Sequence, residues 1–100
     1  MALQVNISED GLTMRIEMPE RFAFDVHSEL RKAYADNTSV ENFIVDLSQT
    51  TYLDSSALGM LLQLREHAGD RYDSVRIINA KANVKEILNV ANFGQMVTIN

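Results

Sequence analysis

Phe43-Ile44-Val45-Asp46-Leu47-Ser48-Gln49-Thr50-Thr51-Tyr52-Leu53-Asp54-Ser55-Ser56-Ala57-Leu58-Gly59 is the stretch on which the fold turns. Its first five residues form an apolar, β-branched run without alternation, the pattern of a strand covered on both faces at the centre of a parallel sheet. From Ser55 to His67 apolar residues recur at positions 57, 58, 61, 62 and 64, and polar Arg65, Glu66, His67 and Asp70 come late, which predicts a helix ending near Gly69. A buried strand that feeds a helix is half of a parallel crossover unit.

The flanks extend that unit. Leu3, Val5 and Ile7 alternate with polar residues, and after Glu9-Asp10-Gly11 the alternation resumes at Leu12, Met14, Ile16 and Met18. This predicts a hairpin with an Asp-Gly turn and one apolar face per strand, ended by Pro19, which lacks an amide donor. Between Phe24 and Tyr34 the spacing of Val26, Leu30 and Ala33 or Tyr34 predicts a first helix, with Asp25 placed to cap it. Downstream, Val75, Ile77 and Ile78 predict a strand, Val84 to Ala91 a third helix, and Met96 to Ile99 a last short strand. The order β-β-α-β-α-β-α-β implies one α/β domain: a mixed, mainly parallel sheet with an N-terminal hairpin, covered by helices.

One hundred residues leave room for one domain, which can bury a modest core but cannot also enclose a large catalytic cavity. Nine basic against 14 acidic residues give a net charge of −5, a field that repels phosphate backbones and anionic lipid surfaces. Neither nucleic acid nor direct membrane binding is therefore expected. There is no cysteine, so disulfides, thiolate metal sites and thiol nucleophiles are absent. No leader-like N-terminus or apolar run of membrane-spanning length occurs, which makes a cytoplasmic protein the expectation.

Catalysis finds no motif. His27 and His67 stand alone, without a second histidine at ligand or relay spacing, and are read as surface residues. No Gly-x-Ser-x-Gly elbow, phosphate-binding Walker loop or His-Glu-x-x-His is present, so neither catalytic residues, metal nor cofactor are expected. The chemistry-bearing segment is Asp46 to Gly59, rich in hydroxyls and carrying two carboxylates at the carboxyl end of the central strand, where open α/β sheets place function. Asp54 or Ser55 also reads as a plain helix cap, and Asp46 with Asp54 as solvated loop acids. Gly59 costs on the order of 1 kcal/mol inside a helix, which calls for a packing role or a close backbone approach. Met14, Met18, Met60 and Met96 read as core, whereas Phe22, Phe24 and Phe93 are either folded back onto it or an exposed docking patch.

Asp54-Ser55-Ser56-Ala57-Leu58-Gly59, preceded by Asp46-Leu47-Ser48 and the apolar pair Tyr52-Leu53, resembles the signature of STAS domains of the anti-sigma-factor antagonist family. The order of elements matches over residues 1–100. The resemblance implies a partner-switching regulator that, unphosphorylated, binds and sequesters an anti-sigma factor that is itself a serine kinase of the ATP-binding histidine-kinase-like type, with a PP2C-like phosphatase reversing the modification. It implies Ser55 as the phosphorylated residue, with Ser56 as runner-up, and a partner surface made of Asp46, Ser48, Thr50, Asp54, Ser55, Ser56, Ala57 and Gly59. Ala57 where glycine is frequent, a glycine-free loop Pro19–Phe24 whose two phenylalanines suggest a proteobacterial subgroup, and Asn92-Phe93 in place of Gly-Leu depart from the commonest pattern. They leave open an output other than a sigma factor, such as a motility or biofilm regulator. The alternative reading is a non-switched STAS subunit of a membrane transport complex. A hydrolase using Ser55 as nucleophile lacks a placed histidine base.

Overall fold

In the computed structural model, which describes residues 2–100, β4 (Asn42–Asp46) lies at the middle of a five-stranded sheet. The strand order is β1-β2-β4-β6-β7, with β1 Gln4–Ile7, β2 Thr13–Glu17, β6 Val75–Ile78 and β7 Thr98–Ile99. Only β1 and β2 pair antiparallel, Val5 opposite Ile16 and Ile7 opposite Met14; the other neighbours are parallel, as the crossover reading expects. The hairpin turn closes with the Gly11 amide on the Ser8 carbonyl, and Gly11 takes a positive φ of 76° that glycine adopts without steric cost.

The helices are α1 (His27–Ala35), α2 (Ser55–His67) and α3 (Ala82–Val90). One cluster of buried side chains joins them to the sheet: Met14, Ile16, Phe43, Val45, Val75 and Ile77 from the strands meet Leu30, Leu61, Leu64, Val84 and Leu88. Burying each such side chain stabilises the fold by roughly 1.5–3 kcal/mol. The other face of the sheet carries Arg15, Ile44, Arg76 and Thr98 side by side in register, with both arginines exposed and Ile44 half-buried. The central strand is therefore covered by helices on one face only, which corrects the expectation of cover on both. Its apolar run is continuous because Ile44 is half-buried among those side chains.

Three local details also differ from expectation. Asp25 does not cap α1, because the Val26 amide bonds the Ala23 carbonyl and closes a short 3-10 turn, Phe24–Val26, that takes Asp25 inside it. Another 3-10 turn, Phe93–Gln95, shortens the last strand and buries Phe93. Finally, two-residue strands β3 (Arg21–Phe22) and β5 (Tyr52–Leu53) form a separate parallel pair that no periodicity announces. Of the three loop phenylalanines only Phe24 is exposed, and it stacks on His27 with ring centroids 5.1 Å apart. The end of α2 follows the sequence closely: Gly69, at φ 95°, lets its amide reach the Glu66 carbonyl and the Asp70 amide reach Arg65, a Schellman stop.

Candidate functional site

The β4–α2 connection is built by hydrogen bonds that converge from three sides. From below, Asp46 accepts the Ser48 amide (2.9 Å) and the Asn79 side-chain amide (3.2 Å) and pairs with the Arg15 guanidinium. Burial pushes the Asp46 carboxyl up, and these donors, Arg15 foremost, outweigh it and leave the group below its ordinary value. From the β2 side, Thr50 donates to the Pro19 carbonyl (2.8 Å), and the Thr51 and Tyr52 amides donate to Glu20 (2.9 and 3.1 Å). From α3, Lys81 donates to the Ser48 carbonyl and Asn83 to that of Thr51. The loop that leads into α2 is thus clamped by residues some thirty positions away on both sides.

α2 starts with a side-chain cap. Asp54 Oδ1 accepts the Ala57 amide (3.2 Å) and the Ser56 hydroxyl (2.5 Å). The Ser56 hydrogen bond is the chief cause that holds the Asp54 carboxyl below its ordinary value, and the nearby Arg21 charge adds to it. Arg21 is positioned by β3, in register with Tyr52, and its guanidinium lies 4.7 Å above the Tyr52 ring. The two serines of the motif are thereby unlike. Ser56 is half-buried and bonded to Asp54, whereas Ser55 is exposed and its hydroxyl joins no hydrogen bond among the described residues.

The phase of α2 divides the expected partner surface. Ala57, Met60, Leu61 and Leu64 face the core. Ser55, Gly59 and Leu62, at i, i+4, i+7 spacing, face outward, with Leu58 half-buried beside them. Of the apolar stripe counted from sequence, Leu62 is exposed, whereas Leu58 packs against the edge of the core and lines a cleft of about 350 Å³ with Asn83, Ile87 and Val90 of α3. Of the residues expected on the partner surface, Ala57, Thr50 and Asp46 are buried: Ala57 packs in the core, and Thr50 and Asp46 hold the loop through their hydrogen bonds. Ser48, Ser55 and Gly59 are exposed and Asp54 and Ser56 half-exposed on the same end of the molecule. Neither expected role for Gly59 is met inside the chain, since a Cβ there would have nothing within 4 Å.

Sequence reasoning missed Arg21 and the brace Asn79, Lys81 and Asn83. The alternating polar residues after β6 are visible in the sequence, but only the parallel β4·β6 pairing gives them a target. Among the described residues no group of three or more His, Asp or Glu side chains gathers where a metal ion could sit, and no helix is long and apolar enough to cross a membrane.

A family model described as Mlab, STAS domain, matches residues 5–98. A STAS-domain containing protein of Pseudomonas aeruginosa, PA14_20770, is 40% identical over 102 residues, spanning the whole of both chains. Among solved structures, the anti-sigma factor antagonist SpoIIAA in its unphosphorylated form superposes with a TM-score of 0.83 at 15% identity, covering 99% of this chain and 88% of that one. The Bacillus cell fate determinant SpoIIAA in its phosphorylated form gives 0.69 at 14% identity, covering 99% and 91%.

Proposed function

The chain belongs to the STAS domain family, and on that premise we propose that it is a partner-switching regulator controlled by phosphorylation of Ser55. In this reading the unmodified protein binds and sequesters an anti-sigma factor that is also a serine kinase of the ATP-binding histidine-kinase-like type. The kinase phosphorylates Ser55, a PP2C-like phosphatase restores it, and the chain is a substrate and binding module without catalysis of its own.

The observation that supports Ser55 over Ser56 is the difference between their hydroxyls: one exposed and unbonded, the other held by Asp54. A nucleophilic oxygen offered to a kinase must be free to align with a γ-phosphate. The product suits the same place. A phosphate in the first turn of α2 lies near amides that have no partner within the helix and at the positive end of its dipole, so the fold can keep its shape. It also adds about −1.5 to −2 charges beside Asp54, and a partner covering the turn has to desolvate them. A loss of about 3 kcal/mol lowers affinity more than a hundredfold, enough for a switch that needs no conformational change.

Incubation with ATP and the cognate kinase should add one phosphate, mapped by peptide mass spectrometry to Ser55 and abolished in Ser55→Ala. Full labelling of Ser55→Ala at Ser56 would move the site by one residue. A second reading, a constitutive STAS subunit of a membrane transport complex, is favoured by apolar surface that runs from Leu62 to Ile87 and Val90, the last 79% exposed. Co-purification separates the two: a soluble kinase supports the switch, a membrane ATPase the constant subunit.

A further inference from the structure

β1 is an edge strand that nothing protects. Edges are usually blunted by lysine, proline or a bulge. Gln4-Val5-Asn6-Ile7 has no charge and no proline, and all four residues are exposed. Val5 and Ile7 stand on the core face, opposite Ile16 and Met14, yet remain 37% and 44% exposed because α1 does not cover them. Between β1 and α1 is a cleft of about 240 Å³ whose lining includes Val5, Ala33, Lys32 and Asp36.

The hydrogen-bond phase of the hairpin fixes which backbone groups are free. The Ser8 amide bonds the Thr13 carbonyl, so Asn6 and Gln4, two and four residues back, also face β2. The amides and carbonyls of Val5 and Ile7 therefore point away from the sheet. We propose that this edge pairs with the same edge of a second copy of the chain, β1 against β1 in antiparallel register, with Asn6 opposite Asn6 at the two-fold axis.

That register is selected by the chain itself. It sets Val5 of each copy opposite Ile7 of the other, so the free backbone groups bond one another and the exposed apolar side chains meet on the core face. Shifting by one pair toward the N-terminus requires the Leu3 amide, which is taken by the Glu29 carboxylate at 2.9 Å. Shifting the other way requires Glu9, which lies in the hairpin turn. The rim agrees: Lys32 and Asp36 are opposite charges one helical turn apart, and a two-fold copy meets them in reverse order. The proposal is independent of the role of Ser55.

The chain has no cysteine, so a single one reports the register cleanly. Residues opposite each other in a non-hydrogen-bonded pair have Cα atoms about 4.5 Å apart, within the roughly 4.4–6.8 Å a disulfide spans. Under mild oxidation Asn6→Cys should form a disulfide-linked dimer of twice the chain mass, and Ile7→Cys, which faces Val5 of the second copy, should do so at least about tenfold more slowly. In sedimentation equilibrium the unaltered protein should self-associate, Val5→Lys should weaken the association at least about tenfold, and Leu62→Lys on α2 should leave it unchanged. Circular dichroism of the lysine variants confirms that they are folded. A protein that stays monomeric up to about millimolar concentration overturns the proposal, as does a dimer in which Asn6→Cys crosslinks no faster than Ile7→Cys.

Discussion

Replacing Gly59 with alanine should stabilise the fold. Glycine in a helix interior is about 0.5–1 kcal/mol worse than alanine because it surrenders more backbone freedom on folding. That cost is normally tolerated where a Cβ would clash, and here the added methyl would have nothing within 4 Å and would point to solvent. The propensity gain should therefore be realised almost in full. For a domain of this size about 1 kcal/mol corresponds to roughly 4–8 °C in Tm, so a rise of about 2–8 °C is expected. Paired thermal and urea melts of the two proteins measure it, with an unchanged urea slope showing that the unfolded state is the same. A melting point equal to or below that of the unaltered protein would refute the reasoning, by showing that the backbone at Gly59 does something a helix interior does not require. The counterpart is on the outward face shared with Ser55 and Leu62: if a partner backbone seats there, Gly59→Ala should weaken its binding while strengthening the isolated domain.

Two further outcomes follow from the same site. The Asp46 carboxyl is held below its ordinary 3.8 in the folded state, so the folded protein binds that proton less readily than the unfolded one; its stabilisation is complete above about pH 3.8 and is lost as pH falls through the lower folded value. Urea midpoints measured from neutral pH down to about pH 2 should accordingly fall less steeply for Asp46→Asn than for the unaltered protein, and equal slopes would contradict the assignment. Ser55→Asp should change stability by no more than about 1 kcal/mol, since attraction to the helix start and repulsion from Asp54 oppose each other; a thermal melt showing a loss of several kcal/mol would mean that Ser55 is not at the surface.

What could be read from sequence divides along the range of the interactions concerned. The α2 cap was legible because an aspartate bonding an amide three residues on is a local event, and the end of α2 was legible because Gly69 is a local stop. Asp25 presents the same outline as Asp54, an acid just ahead of a helical pattern, yet a single Val26-to-Ala23 hydrogen bond draws it into a turn. Alternation in β1 identified the face of Val5 and Ile7 but not whether a helix reaches over it, since that depends on where α1 is laid down. Leu58 and Leu62 fit an apolar stripe as well as Leu61 and Leu64 do. Leu61 and Leu64 are nevertheless fully buried, Leu58 is half-buried against the core and Leu62 is exposed, a division set by where the rest of the fold lies against the helix. The β3·β5 pair was beyond sequence reading, because two-residue strands carry no period and are held by carbonyls of Pro19 and Glu20 that any residue could supply.

The brace on the β4–α2 loop has a consequence for timing. Asn79, Lys81 and Asn83 follow the Asp54–Gly59 segment by about twenty residues and are positioned only once β6 has paired with β4. A growing or truncated chain that stops before Asn79 already contains every residue of the serine motif and none of the three side chains that hold the loop beside it. A partner that recognises the loop together with Ser55 thereby distinguishes finished molecules from unfinished ones, and the motif stays illegible to it until the last third of the chain is in place.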